Sequence, residues 1–274
     1  MLFEVARKLR NGRLRRWGPV WTVLGKAYRT TLAVLHVNTT VSSRIGPYGP
    51  FKLDGRFAFS DFSSWGGGHN ACFRPCIEAC KNANVVLDVG AHVGLVSLPA
   101  SEVLAPGGRV YAFEPARANR ALLVRHIERN GANNIEVIAA LVGATEEPAV
   151  AFFEQETDSG LNSIAENPSS SAFRSSNVRQ VNLDGFCAAR ALVPDVMKID
   201  VEGAEIGVLR GAASIIRSAR PTIFLSVHPK QIEQLGYQMA DLSALVSDLG
   251  YECRDDSGAV AALESGEFML VPTK

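Results

Sequence analysis

VVLDVGAHVG, residues 85–94, decides how the rest of the chain is read. An apolar run of strand length reaches Asp88 and then meets Gly90 and Gly94. Glycine lets a backbone turn sharply and pass close to a ligand. From this point apolar runs alternate with helical patterns. RVYAFEP (109–115), IEVIAALVG (135–143), PDVMKID (194–200) and PTIFLSVHP (221–229) read as strands two to five. Helices are expected over 71–83, 93–104, 117–130, 204–219 and 231–249. Pro99 disturbs the second of these and shifts its start or kinks it. Asn130-Gly131 ends the third. YECRDD and GEFMLVP close the chain as an antiparallel pair, and AVAFFEQE and VRQVNLD add extended segments between strands three and four. The βαβ rhythm predicts an α/β fold with a mostly parallel sheet and helices on both faces.

The 274 residues suit one large domain with an appendage, and 47% apolar content is enough for a full core. Lysine and arginine balance aspartate and glutamate at 28 each, so no global field toward nucleic acid is expected. The first thirty residues are the exception, with Arg7, Lys8, Arg10, Arg13, Arg15, Arg16, Lys26 and Arg29 against Glu4 alone. The plain reading is a solvated terminus; peripheral contact with an anionic membrane surface is the functional alternative. Arginines interrupt every apolar run before residue 30, which fits neither a secretory signal nor a membrane span. A cytoplasmic protein is expected. Its five cysteines suit a reducing compartment. Cys72, Cys76 and Cys80 share one helical face and read as buried apolar groups rather than metal ligands.

Residues 1–70 are expected to form an extension, helical to about residue 45. A β-hairpin and loop follow over 46–70, suggested by the alternation in FKLDGRFAF (51–59). Tyr48, Phe51, Phe57, Phe59, Phe62 and Trp65 would make it a cap over an acceptor site, with the catalytic domain spanning 71–274.

Chemistry is expected at the carboxyl ends of the strands, where ligands of open α/β sheets bind. Gly90 and Gly94 do not complete G-x-G-x-x-G, and no Gly-Lys-Ser/Thr follows, so nothing here cradles a pyrophosphate. Glu114 ends the second strand at about the spacing of the acid that accepts hydrogen bonds from ribose hydroxyls in such folds. A glycine turn and a ribose carboxylate without a phosphate cradle suit a nucleoside ligand such as S-adenosyl-L-methionine, with Asp88 near its cationic amino acid portion.

DVGAHVG (88–94), FEP (113–115), VNLDGF (181–186), KIDVEGAE (198–205) and PTIFLSVHP (221–229) occur in an order that resembles the FkbM family of S-adenosylmethionine-dependent methyltransferases. The resemblance implies the seven-stranded, Rossmann-like class I methyltransferase fold and methyl transfer to oxygen, often of a sugar, glycoconjugate or secondary metabolite. It implies a cofactor site of Asp88, Gly90, Ala91, His92, Gly94, Glu114, Pro115, Ala140 and Asp200. The pattern is broken at Ser226, where many relatives carry a carboxylate.

VMKIDVEGAE (196–205) is an apolar strand that ends among Asp200, Glu202 and Glu205. Glu205 reads as an acid at a helix start. Asp200 is either paired with Lys198, two residues before it, or forms an active-site wall with Glu202. His228, at the end of strand five, is the first choice of general base because imidazole titrates near neutrality; Asp200 is the second. His69 in WGGGHN is a remote third. The adopted reading has no metal, although Asp200, Glu202 and His228 offer donors that suit a divalent ion. Two rivals remain open: a nucleotide-sugar or NAD-linked enzyme on a similar sheet, and a non-catalytic binding module.

Overall fold

The computed structural model describes residues 39–67, 70–155 and 173–273. His69 and residues 1–38 of the extension expected to be helical to about residue 45 lie outside them; the described end of that expected helix, Thr40–Ile45, is a strand instead. The chain divides into two compact units, Met1–Trp65 and Gly66–Lys274.

In the first unit, strands β1 (Thr40–Ile45) and β2 (Tyr48–Asp54) pair antiparallel. Val41, Ser43 and Ile45 alternate inward along β1. The hairpin therefore lies earlier than the alternation in FKLDGRFAF predicts. That alternation is broken at Asp54, whose carboxylate accepts the Arg56 amide at 3.2 Å and turns Gly55–Phe57 into a short 3-10 segment. Phe57, Phe62 and Trp65 then pack ring against ring, one pair tilted and one edge-to-face, with centroids 5.6 and 5.8 Å apart.

The second unit opens with helix α1 (Phe73–Ala79) and is built on a seven-stranded sheet. Its strands are β3 (Val85–Val89), β4 (Arg109–Phe113), β5 (Ile135–Ile138), β9 (Val196–Ile199), β10 (Thr222–Val227), β11 (Tyr251–Arg254) and β12 (Gly266–Pro272). The order is β11-β12-β10-β9-β3-β4-β5. β3, β4, β5, β9 and β10 are parallel, and β12 runs antiparallel between β10 and β11. The central strands carry long apolar runs because helices cover both faces of such a sheet. Leu87, Val89, Met197, Ile199, Ile223 and Leu225 form the middle of one core cluster. Cys72, Cys76 and Cys80 are buried and free, as the helical spacing suggests.

Several elements depart from the sequence pattern for identifiable reasons. Helix α2 covers only Ser97–Val103, which places Pro99 in the first turn, where no backbone N–H is needed. IEVIAALVG divides into β5 and a two-residue strand β6 (Leu141–Val142). β6 leaves the main sheet to join β7 (Glu147–Gln155) and β8 (Phe173–Val181) in a three-stranded sheet ordered β6-β8-β7. Helix α3 (Arg117–Asn130) is as expected and ends on Gly131 at φ 64°. Helix α4 (Leu183–Arg190) was hidden in VNLDGF; Asn182 caps it by accepting the Gly185 amide at 2.6 Å. The segment 204–219 forms two helices, α5 (Glu205–Gly211) and α6 (Ala213–Ala219). The last helical stretch also divides, at Gly236, into α7 (Pro229–Gln234) and α8 (Met239–Asp248). Among the described residues no helix is long and apolar enough to cross a membrane.

Candidate active site

The strand order reverses between β3 and β9, so the crevice for a ligand lies at their carboxyl ends. Asp88 is fully buried in β3. One carboxylate oxygen accepts the Ser97 hydroxyl at 2.5 Å, and the other, Oδ1, is buried without a partner among the described residues. Burial pushes the Asp88 carboxyl above its ordinary range, against the opposing pull of Lys198 and Ser97. The amides of Gly90 and Ala91 both donate to the Phe113 carbonyl at 3.0 Å, which ties the first turn to the end of β4. Gly90 adopts φ 83°, and a Cβ there would lie 1.8 Å from the Asp200 carbonyl oxygen. Gly94 has φ 91°, and its Cβ would meet Leu123 at 2.7 Å. Both glycines thus have a chain-packing reason in addition to any approach of a ligand.

Glu114 follows β4 and is 4% exposed. Its carboxylate accepts the His92 and Ala116 amides, each at 2.8 Å. His92 itself sits at φ 52°, a left-handed conformation that this bond helps to hold. Burial pushes the Glu114 carboxyl up to about 7, with the two amides acting in the other direction. The Asn119 side chain also bonds the carboxylate, so acceptor capacity for about one further hydroxyl donor remains on the group. Pro115 adjoins it, and Ala140 follows β5, two strands from β3.

The third group gathers at the ends of β9 and β10. His228 leaves β10 and is followed by Pro229, the first residue of α7. Its Nδ1–H donates to Glu205 Oε1 at 2.6 Å. Its Nε2 lies 3.6 Å from Asp200 Oδ1 and 3.7 Å from Glu202 Oε1. Glu202, at φ 49°, accepts the Gln231 side-chain amide at 3.2 Å. Burial opposes the charged imidazole of His228, but the bond to Glu205 and the charges of Glu202 and Asp200 outweigh it and leave the pKa raised. Burial likewise pushes Glu202 up, partly offset by His228. Asp200, Glu202 and His228 each offer a donor atom within 4.8 Å of the others, a spacing at which a divalent ion could also be held.

Lys198 supports this group from inside the sheet. It stands opposite Asp88 in the β3–β9 register and donates to Asp200 Oδ2 at 3.0 Å. Burial works against its charge, but Asp200 and Asp88 outweigh burial and raise its pKa. Asp200 is correspondingly held below its ordinary value, because the ammonium and His228 outweigh desolvation. One oxygen of Asp200 is thus paired with Lys198, as one of the two readings has it, and the other, Oδ1, lies 3.6 Å from His228 Nε2. Ser226, where a carboxylate was expected, stands opposite Glu267 of β12. Glu267 accepts the Cys72 amide at 3.0 Å and helps to keep Lys198 charged, so an acid occupies that neighbourhood from the adjacent strand.

The structure thus brings Asp200, Glu202 and His228 together, links His92 to Glu114, and sets Gly90 against Asp200. The sequence reading left Glu205 as a helix-start acid. It does occupy the first turn of α5, but it also contacts His228. The only signal in the sequence was a second acid three residues beyond Glu202.

A solved FkbM methyltransferase from Methylobacillus flagellatus KT is 18% identical over 70% of this chain, with a TM-score of 0.44. This chain spans 44% of that protein's length. An O-methyltransferase from Bacillus cereus, solved in complex with SAH, is 12% identical and has a TM-score of 0.40; the match covers 74% of this chain and 79% of that one. Cofactor-bound Rv0187 from MTB is 16% identical with the same TM-score and the same coverage of both chains. No curated protein matches the chain. The family model described as the methyltransferase FkbM domain matches residues 88–253, from the buried acid of β3 to the end region of β11. More than half of the chain lies within that match, and the seven-stranded α/β sheet agrees with the class I fold that the resemblance implied. The chain belongs to the FkbM methyltransferase family, with S-adenosylmethionine as its methyl donor.

Proposed function

We propose that this methyltransferase acts on oxygen, methylating a hydroxyl of a sugar, glycoconjugate or secondary metabolite. The observation that carries the reading is the convergence of His228 Nε2, Asp200 and Glu202 beside the β3–β9 crevice. An alcohol must lose its proton as its oxygen attacks, and a positioned base of suitable pKa assists that loss.

The residues present fit the donor. Asp88 has a buried oxygen without a partner among the described residues, suited to the side of the crevice that receives a cationic amino acid portion. Glu114 would accept a ribose hydroxyl on the acceptor capacity left beside the His92 and Ala116 amides and Asn119. Gly90, Ala91, His92 and Gly94 would form the turn that holds the donor, with Pro115 and Ala140 as the neighbouring strand-end residues. When bound, S-adenosylmethionine supplies a methyl group activated by sulfonium. His228 takes the acceptor's proton on Nε2, with Asp200 as the alternative base. Asp200 and Glu202 accept hydrogen bonds from the acceptor and orient it. The chemistry is assigned to residues 71–274, with a small molecule or glycan as partner.

The test is transfer of labelled methyl from S-adenosylmethionine to a panel of hydroxylated sugars and glycosides. An alkali-stable methyl ether is expected. Label found only as an alkali-labile ester or a methylated amine would overturn the assignment to hydroxyl oxygen.

A further inference from the structure

Glu205 is 0% exposed, which its place at a helix start does not explain. An acid in a first turn gains a little from the helix dipole, and it gains this at the surface as well. Burying a carboxylate costs several times more unless specific partners receive it. Two partners are present, both on Oε1: the Gly203 amide at 3.1 Å and His228 Nδ1 at 2.6 Å. The other oxygen, Oε2, is buried and has none among the described residues. The carboxylate is therefore committed to the turn before α5 and to the imidazole.

A carboxylate only accepts, so the bond requires the proton of neutral His228 to reside on Nδ1. Nε2 is left with its lone pair. At 3.6 and 3.7 Å from Asp200 and Glu202 it is beyond hydrogen-bond reach of both. The imidazole is held at one nitrogen and open at the other.

We propose that Glu205 is a positioning residue, which holds His228 as the Nδ1–H tautomer and aims Nε2 at the acceptor hydroxyl. This rests on the reading of His228 as the base. In the proton transfer the acceptor's O–H bond breaks and an Nε2–H bond forms. The oxygen keeps the electron pair, the Nδ1–H bond to Glu205 persists, and the Nε2 proton later leaves to solvent. The groups facing the imidazole are Glu205 from α5 and Asp200 and Glu202 from the end of β9 and its turn. Lys198 offsets part of the charge of Asp200, and Gln231 of α7 holds Glu202. Glu205→Gln removes the buried charge but leaves the length of the side chain. Its amide is also able to donate to Nδ1 and so to favour the opposite tautomer.

The experiment is nitrogen-15 NMR of the full chain with labelled imidazoles, across pH, on the wild type and Glu205→Gln. His228→Gln assigns the resonance. The expected wild-type signature is a neutral imidazole protonated on Nδ1. In Glu205→Gln the titration midpoint should fall by roughly one pH unit or more, as for loss of a contacting opposite charge. A neutral wild-type ring protonated on Nε2 overturns the proposal, whether or not the variant folds. An unchanged midpoint and tautomer in a folded Glu205→Gln overturns it equally. Calorimetric binding of S-adenosylhomocysteine on the same wild-type sample separates the two layers. Binding with the wrong tautomer removes only the role of Glu205. Absence of binding removes the methyl-transfer reading and with it any catalytic use of the pair.

Discussion

The carbonyl oxygen of Asp200 occupies the space that a side chain on Gly90 would need, 1.8 Å from the position of its Cβ. The ends of β3 and β9 are thereby packed backbone to backbone at the strand reversal, and Asp200 is brought beside the first glycine turn. Gly90→Ala meets a left-handed φ, a cost of about 1–2 kcal/mol, and a backbone clash of about 1–3 kcal/mol. A fall in melting temperature of roughly 5–15 °C is expected, at about 2–4 °C per kcal/mol. Loss of S-adenosylhomocysteine binding should accompany it. Wild-type melting and binding would contradict the packing account.

A ribose role for Glu114 would couple donor binding to proton release. Its carboxyl is pushed up by burial to about 7, against an ordinary value of 4.5. Between those values the folded protein holds a proton that the unfolded chain has released, so this group's contribution to stability falls as pH rises through that window. Ribose hydroxyls favour the ionised form. Binding of S-adenosylhomocysteine should therefore release protons near about pH 6 and release fewer above about pH 8. Calorimetry in buffers of different ionisation enthalpy measures this. Glu114→Gln should abolish the release and weaken binding ten-fold or more, as expected from roughly 1.5–3 kcal/mol for hydrogen bonds to a charged group. Unchanged affinity would remove the ribose role.

His228→Ala should lower turnover roughly 10²–10⁴-fold while leaving donor affinity intact. The raised pKa of His228 adds a sign. The free base forms only as pH rises through that pKa, so turnover should climb with pH to a midpoint above the ordinary histidine value. Turnover at the wild-type level in the variant, or a rate falling over that range, would exclude it as the base.

Lys198→Met tests the charge inside the sheet. Lys198 is 12% exposed and its partner Asp200 33%, so the pair is only partly screened. Breaking a buried pair costs about 3–5 kcal/mol, and the exposure of Asp200 reduces this to roughly 2–3 kcal/mol. The midpoint of urea unfolding should fall accordingly. An unaltered midpoint would show that Asp88 and Asp200 do not depend on the ammonium.

The sheet was legible because β3, β4, β9 and β10 are apolar runs bounded by turn residues, a local signal that survives tertiary packing. The breaks at Ala212 and Gly236 were not legible, since the helical pattern continues across them. The departure of β6 to a second sheet depends on a pairing with β8 some forty residues away. The site followed the same division. His228 and Asp200 stood out as polar residues at strand ends. Glu205 did not, because its partner His228 follows β10, 23 residues away, and its place at a helix start had a sufficient local explanation.

The most direct test of the account is calorimetric titration of the full chain with S-adenosylmethionine, S-adenosylhomocysteine and NAD, with and without Mg²⁺. Micromolar binding of the two sulfur nucleosides without need of the metal, and no binding of NAD, is expected. Binding of NAD alone, or of none of the three, would contradict it.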